Sequence, residues 1–300
     1  MFWFSSKRKK GFEFLSGATD IHCHLLVGVD DGMNTLSESF ELLAQERTAG
    51  LKRVYLTPHS MGLEGAVVDK ETAYPRHHHR KVVDSKDVIA GDDSELASSA
   101  ALLALHEKEY AESAKTSPYV SEPEGGFSNE HLKERFEIFK KYYTGDIELR
   151  LASEYMMNKE FLAKVHKKDI LTYADGVHVL VETSYFAPPV DMDEILYTLS
   201  LNGYRPIIAH PERYRYMSKK DYRKLKATGY EFQLNYLALT GYYGEDIYER
   251  ALDLLDNGLY DFTGSDFHRI STYYHALPHL KLNGKRTDAL LKLFENNSKI

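Results

Sequence analysis

Two histidines spaced two apart, His22 and His24, lie near one end of the chain, and Asp266 with His268 repeats the spacing near the other. On a strand, alternate residues face the same side, so each pair can clamp one ion. His59, Glu154 and His210 fall between them, and Asp31 in the DDG turn adds a carboxylate, whereas Asp30 reads as shaping that turn. Mixed imidazole and carboxylate ligation suits Mn, Fe or Zn rather than Mg or Ca alone. Two or three such divalent ions would lower the pKa of a bridging water and neutralise charge developing on phosphoryl oxygens, which is the chemistry of phosphoester hydrolysis. No side-chain nucleophile is then required, and the chain contains no GxSxG elbow, no reactive-cysteine motif and no GKS or GKT phosphate loop.

Taken singly, each residue has a plainer reading. A rim histidine such as His59 is more often a satisfied polar group, and Glu154 or Asp266 more often a salt-bridge partner. Their coincidence on one predicted face is what favours ligation. Arg213, three residues after His210, can fork onto a phosphate or pair with Glu212, and Arg269, directly after His268, has the same two readings. Cys23 lies between two candidate ligands and should point away from them, into the core. The histidine run 77–79 cannot share one face and reads as solvated.

Elements must bring these residues together. Strand signals occur near residues 21, 54, 150, 180, 207, 233 and 261, separated by helix signals. Thr35 with Glu38 makes a capping box and Gly50 a helix stop; Ser128, then Asp191 or Asp193, start later helices, and a final helix near Thr287–Asn296 should seal the outside. Alternating strands and helices predict parallel strands with right-handed crossovers, and the placement of every candidate ligand at a strand end favours an α/β barrel of seven strands. About 85 residues separate the second and third strands, where a crossover needs roughly a dozen, so 61–127 reads as an insertion, either a lid over the site or a surface flap. Within it, Ser94–Ala114 is expected to be helical. Residues 1–18 read as a tail and 19–300 as one domain.

Composition narrows the classes. With 43% hydrophobic residues in 300, the chain can form one large core. Thirty-eight basic against 45 acidic residues give a net charge of −7, which argues against a nucleic-acid partner. A single cysteine excludes an internal disulfide and cysteine-rich zinc sites, and fits a reducing, cytoplasmic location. The start, MFWFSSKRKK, precedes no apolar run of membrane-spanning length and reads as a solvated tail, with peripheral docking of Phe2, Trp3 and Phe4 at an acidic membrane as the alternative.

The segments DIHCHLL at 20–26, TPH at 57–59, ASEY at 152–155, AHPERY at 209–214 and GSDFH at 264–268 together resemble the polymerase and histidinol phosphatase (PHP) superfamily. VDDGMNTLSES and AHPERY most resemble its bacterial capsule-type manganese-dependent tyrosine-protein phosphatases. The resemblance covers residues 19 to 60 and 128 to 296. It implies a distorted seven-stranded TIM-like barrel and three bound metals. It further implies hydrolysis of phosphotyrosine on a kinase that controls capsule or exopolysaccharide assembly. His22, His24, Asp31, His59, Glu154, His210, Asp266 and His268 would be ligands, Arg213 would contact phosphate, and Glu154, Asp266 and Arg213 would carry catalysis. The family's second arginine, expected a few residues beyond the DxH motif, is represented only by Arg269. A small-molecule phosphatase of the histidinol-phosphate type and a metal-bound regulatory module that binds the kinase without hydrolysis are the competing readings.

Overall fold

The computed structural model describes residues 15–60, 93–115 and 128–300. In chain order these form β1 (Thr19–Cys23), α1 (Leu36–Ala49), β2 (Arg53–Leu56), α2 (Asp93–Lys115), α3 (Asn129–Tyr142), β3 (Glu148–Leu151), β4 (Glu154–Met156) and α4 (Lys159–Lys167). There follow β5 (His178–Glu182), α5 (Met192–Leu201), β6 (Arg205–Ala209), α6 (Lys219–Thr228), β7 (Glu231–Asn235), α7 (Glu245–Asp256), β8 (Phe262–Gly264), α8 (Ile270–Ala276) and α9 (Gly284–Asn297). Helix boundaries follow local chemistry. Thr35 accepts the Glu38 amide at the start of α1, Gly50 ends it with φ 104, and Ser128 accepts the His131 amide before α3.

The fold is α/β with parallel strands, but the hydrogen bonds draw two sheets, β1-β2-β3 and β4-β5-β6-β7-β8, where a single seven-stranded barrel was expected. The strand anticipated near residue 150 is broken. Ala152 N still donates to Leu56 O at 3.0 Å, but Glu154 N (3.2 Å) and Ser153 Oγ (2.7 Å) both turn to Pro58 O. Pro58 has no amide hydrogen with which to continue the β2 ladder, so the chain leaves one sheet and joins the other. Isolated parallel bridges, Cys23 with Phe267 and His59 with Glu154, link the sheets at these edges.

Strand alternation sorts the buried side chains into two layers. Ile21, Tyr55, Ala152, Leu180, Ile207, Ala209 and Phe262 form one cluster with Tyr173 and Ile300. Their neighbours Val54, Leu56, Val179, Val181 and Ile208 belong to the larger cluster that includes the apolar faces of the helices. Cys23 joins that larger cluster, its Sγ donating to Tyr55 O at 3.2 Å. The last helix does more than cover: Asn297 Nδ2 donates to Thr19 O and Thr263 O, each at 2.7 Å, stitching β1 to β8.

Part of the expected insertion is helix α2, which packs against α1 and α3. Tyr110 is buried, its hydroxyl donates to Val27 O at 3.0 Å, and the Arg135 guanidinium lies 3.7 Å above its ring. Glu107 Oε1 accepts the Ser37 amide at 2.8 Å beside the start of α1. The lid-or-flap alternative for the rest of the insertion, the 77–79 histidines and the first fourteen residues lie outside the described residues. Among the described residues no helix is long and apolar enough to cross a membrane.

Candidate metal centre

All eight residues expected as ligands come together at the carboxyl ends of the strands. His22 Nε2 lies 3.1 Å from Glu154 Oε2 and 3.4 Å from Asp266 Oδ1, and His24 Nε2 lies 3.3 and 3.4 Å from the same two oxygens. His210 Nε2 approaches the other Glu154 oxygen at 3.0 Å. His59 Nε2 and His268 Nε2 face Asp31 Oδ1 at 3.7 and 3.4 Å, and the His24 and His268 rings stack with centroids 3.8 Å apart. Three overlapping donor sets result: His22, His24, Glu154 and Asp266; His24, Asp31, His59 and His268; and His59, Glu154 and Glu182.

The backbone is bent to achieve this. His210 and Asp266 both occupy left-handed conformations, with φ 31 and 55, a cost that non-glycine residues bear mainly where a site requires it. The DDG glycine is forced by close approach: a Cβ on Gly32 would lie 2.2 Å from His24 O. Likewise a Cβ on Gly264 would lie 2.5 Å from the Cβ of His22.

A ring of fixed partners aims the imidazoles. Gln233 donates its amide hydrogen to Leu234 O, so its Oε1, 3.0 Å from His22 Nδ1, must accept; His22 therefore carries its proton on Nδ1 and points a lone pair inward from Nε2. Asp30 Oδ2 accepts from His24 Nδ1 at 2.7 Å, while Oδ1 takes the Gly32 amide. Asp30 thus shapes the turn, as expected, and also orients a candidate ligand. The two Nε2 atoms then sit 3.2 Å apart among carboxylate oxygens, an arrangement that requires positive charge between them. His210 Nδ1 and Asp31 Oδ1 are buried without hydrogen-bond partners. This donor set fits divalent cations.

Electrostatics agree. Burial pushes the Glu154 and Asp266 carboxyls up, but the His22 imidazole and further histidine contacts outweigh it and hold both well below the usual carboxylate range. Burial lowers His22 and His24, yet the carboxylates facing them raise both overall. Burial, then the neighbouring Glu154 and Asp266 charges, push Glu182 well above its ordinary value.

Glu182 was not anticipated as part of the centre, although it ends the apolar strand HVLVE; the run's burial masked it as a core terminus. Gln233 and Asn235, two apart in a fully buried stretch of β7, were equally overlooked, and that spacing of amides in an apolar strand was the available signal.

The arginines separate. Arg213 does not pair with Glu212; its NH1 donates to Asp266 Oδ2 at 2.8 Å, and its guanidinium lies over the Tyr185 and Tyr243 rings, 4.3 and 4.6 Å from their centroids. Arg269 is in no ion pair among the described residues and sits at the edge of the donor cluster. One of its nitrogens donates to the carbonyls of Asp31 (2.6 Å), His268 (2.7 Å) and Gly32, tying down the turn that carries Asp31.

Glu212 turns inward, accepting the Asn235 amide and the Tyr260 hydroxyl, each at 2.9 Å, and burial raises its pKa from 4.5 to about 7. Between those values the folded protein binds more protons than the unfolded chain, so this group's contribution is fully present below pH 4.5 and is lost as pH rises through 7. Glu212→Gln, permanently neutral, should therefore be about 1–3 kcal/mol more stable than the parent at pH 8 and gain nothing near pH 4.5. Urea melts at the two pH values check this; equal midpoint differences at both would contradict it.

A family profile described as "Capsular polysaccharide synthesis, CpsB/CapC" matches residues 18–90 and 79–283. The chain belongs to the CpsB/CapC family. Similar curated proteins include the tyrosine-protein phosphatase YwqE of Bacillus subtilis (strain 168), 25% identical over 84% of this chain and 78% of that protein. The putative tyrosine-protein phosphatase CapC of Staphylococcus aureus is 25% identical over 92% of this chain and 87% of its own length. The tyrosine-protein phosphatase CpsB of Streptococcus pneumoniae is 24% identical over 84% of each. A crystal structure from work on YwqE and CpsB, described as unique metal-dependent tyrosine phosphatases, superposes with a TM-score of 0.61 at 22% identity, covering 93% of this chain and 94% of that one. At that identity the superposition speaks for the CpsB/CapC fold alone.

Proposed function

We propose that this chain is a metal-dependent protein-tyrosine phosphatase, acting on phosphotyrosine of a bacterial tyrosine kinase that controls capsule or exopolysaccharide synthesis. The observation that carries the reading is the convergence of His22, His24, Glu154 and Asp266, with Arg213 anchored on the same Asp266. His22, His24, Asp31, His59, Glu154, Glu182, His210, Asp266 and His268 would hold two or three divalent ions, manganese first, with iron or zinc as alternatives; three overlapping donor sets support that number. Bound ions supply a nucleophilic water and charge neutralisation at phosphorus.

The chain's own groups supply the rest. Glu154 offers both carboxylate oxygens to different imidazoles and would join neighbouring sites. Asp266 holds Arg213 by one edge while Tyr185 and Tyr243 hold its faces, so the guanidinium is oriented before a phosphoryl group arrives and stabilises its oxygens. Tyrosine leaves as the phenolate, whose conjugate acid has a pKa of about 10, so no dedicated acid is needed. One nitrogen of Arg269, engaged with three carbonyls, fixes the Asp31 turn beside the site, where the side chain would also stand near a bound phosphate.

Arg213→Ala should lower kcat/KM roughly 100-fold, and Arg213→Lys should recover little, since an ammonium lacks the planar face that two rings can clamp. Full activity in the lysine variant would remove Arg213 from this role. The reading as a whole is tested by comparing turnover of a phosphotyrosine peptide with that of histidinol phosphate, both with added manganese. Preference for the peptide supports it; preference for the small molecule, or no metal-dependent turnover at all, replaces it.

We further read the two sheets as halves of one distorted barrel, supported by the bridges at their edges and by the cluster that both sheets share. We treat 19–300 as one domain with 61–127 inserted, and place it in the cytoplasm, in keeping with the free buried thiol of Cys23.

A further inference from the structure

The segments that follow β5 and β6 run side by side at the rim, joined where Arg215 N donates to Tyr185 O at 2.9 Å. Arg213 reaches inward from this ledge, over Tyr185 and onto Asp266. Tyr214 is extended (φ −81, ψ 103) and fully buried, which turns the next residue outward. There Arg215 is exposed, its guanidinium 5.3 Å from the Phe186 ring centroid, and Phe186 itself is 64% exposed. Some exposed cations hold acids, such as Arg205 with Glu231 and Lys219 with Asp253. Among the described residues no ion pair engages Arg215. A chain of net charge −7 thus presents, two residues from the arginine expected to meet phosphate, a cation stacked on an exposed aromatic ring.

We propose that Phe186 and Arg215 form a peptide subsite next to the phosphotyrosine position, Phe186 supporting the peptide and Arg215 receiving an anionic side chain close to the phosphotyrosine. The inference rests on the phosphatase reading above. Successive residues of an extended peptide advance about 3.3–3.6 Å, so an anion one to three positions away is within reach of a group two residues from Arg213. The shared chemistry is an anion, whether the carboxylate of Asp or Glu or a second phosphotyrosine.

The test compares kcat/KM for three phosphotyrosine peptides that differ only in the flanking residue, Gln, Glu or a second phosphotyrosine, each normalised to the same enzyme's turnover of free phosphotyrosine with added manganese. The parent should favour the anionic peptides over the Gln peptide by roughly fivefold, through KM, as an exposed ion pair allows, and the preference should fade with added salt. Arg215→Glu should reverse it, and Phe186→Ala should weaken all three peptides relative to free phosphotyrosine. Equal gains from both anions indicate simple charge recognition, and a gain from the second phosphotyrosine alone indicates a phosphate-selective subsite; either supports the proposal. Turnover of free phosphotyrosine with an unaltered flanking preference in Arg215→Glu overturns the subsite alone. No metal-dependent turnover of free phosphotyrosine by the parent overturns the phosphatase reading and the subsite with it.

Discussion

Asp266→Asn should reduce phosphotyrosine turnover by about 1,000-fold or more while leaving the fold intact. Asp266 Oδ1 faces both His22 Nε2 and His24 Nε2 at 3.4 Å, and Oδ2 receives Arg213 at 2.8 Å and Asn235 Nδ2 at 3.1 Å. One carboxylate therefore serves a donor set and the arginine proposed to meet phosphate together. Asparagine is the informative replacement because the residue sits at φ 55, where asparagine is among the few side chains that rest without strain. Its amide keeps the volume but loses the charge that offsets a divalent ion, and it can no longer pair with Arg213. Elemental analysis should find less metal in the variant, and its thermal melt measured without metal should match the parent's within a few degrees. A variant that keeps its metal and turns over within tenfold of the parent would sink the assignment of Asp266.

Removing metal should have an effect of the same size. A chelated and dialysed preparation should fall to background, and adding manganese back should restore turnover. The same donor set gives the pH dependence a sign. His22 and His24 are held above their ordinary pKa by Glu154, Asp266 and Asp30 despite burial, so each retains a proton to higher pH than a free imidazole. A cation must displace those protons, and apparent affinity should rise with pH, by roughly tenfold per unit for each proton released, until the imidazoles are neutral. Metal titrations at pH 6, 7 and 8 measure it; an affinity indifferent to pH, or one that weakens as pH rises through this range, would mean that these histidines are not the groups displaced.

Most of the candidate centre was legible in the sequence because its signals are local. Two-residue spacing at His22 and His24 survives as a shared target for both Nε2 atoms, since strand periodicity is a property of the backbone itself. Strand and helix order, the Thr35 and Ser128 caps and the Gly50 stop were likewise readable, each depending on a few neighbouring residues. Helix α4 went unforeseen: its nine residues offer barely two turns of pattern, and the Asn158 cap that accepts the Phe161 amide is its clearest mark.

What the chain decides locally, then, is the residue types that can bind metal, their spacing, and the strands whose ends carry them. Only the tertiary structure decided that Arg213 leans on Asp266 rather than on its neighbour Glu212, that Arg269 braces a turn, that Gln233 and Asp30 set the histidine tautomers, and that Glu182 joins the cluster. It also decided that the strand near residue 150 breaks between two sheets. Each of these depends on which atoms from distant segments meet across a few ångströms, and a pattern read along one chain holds no such distances.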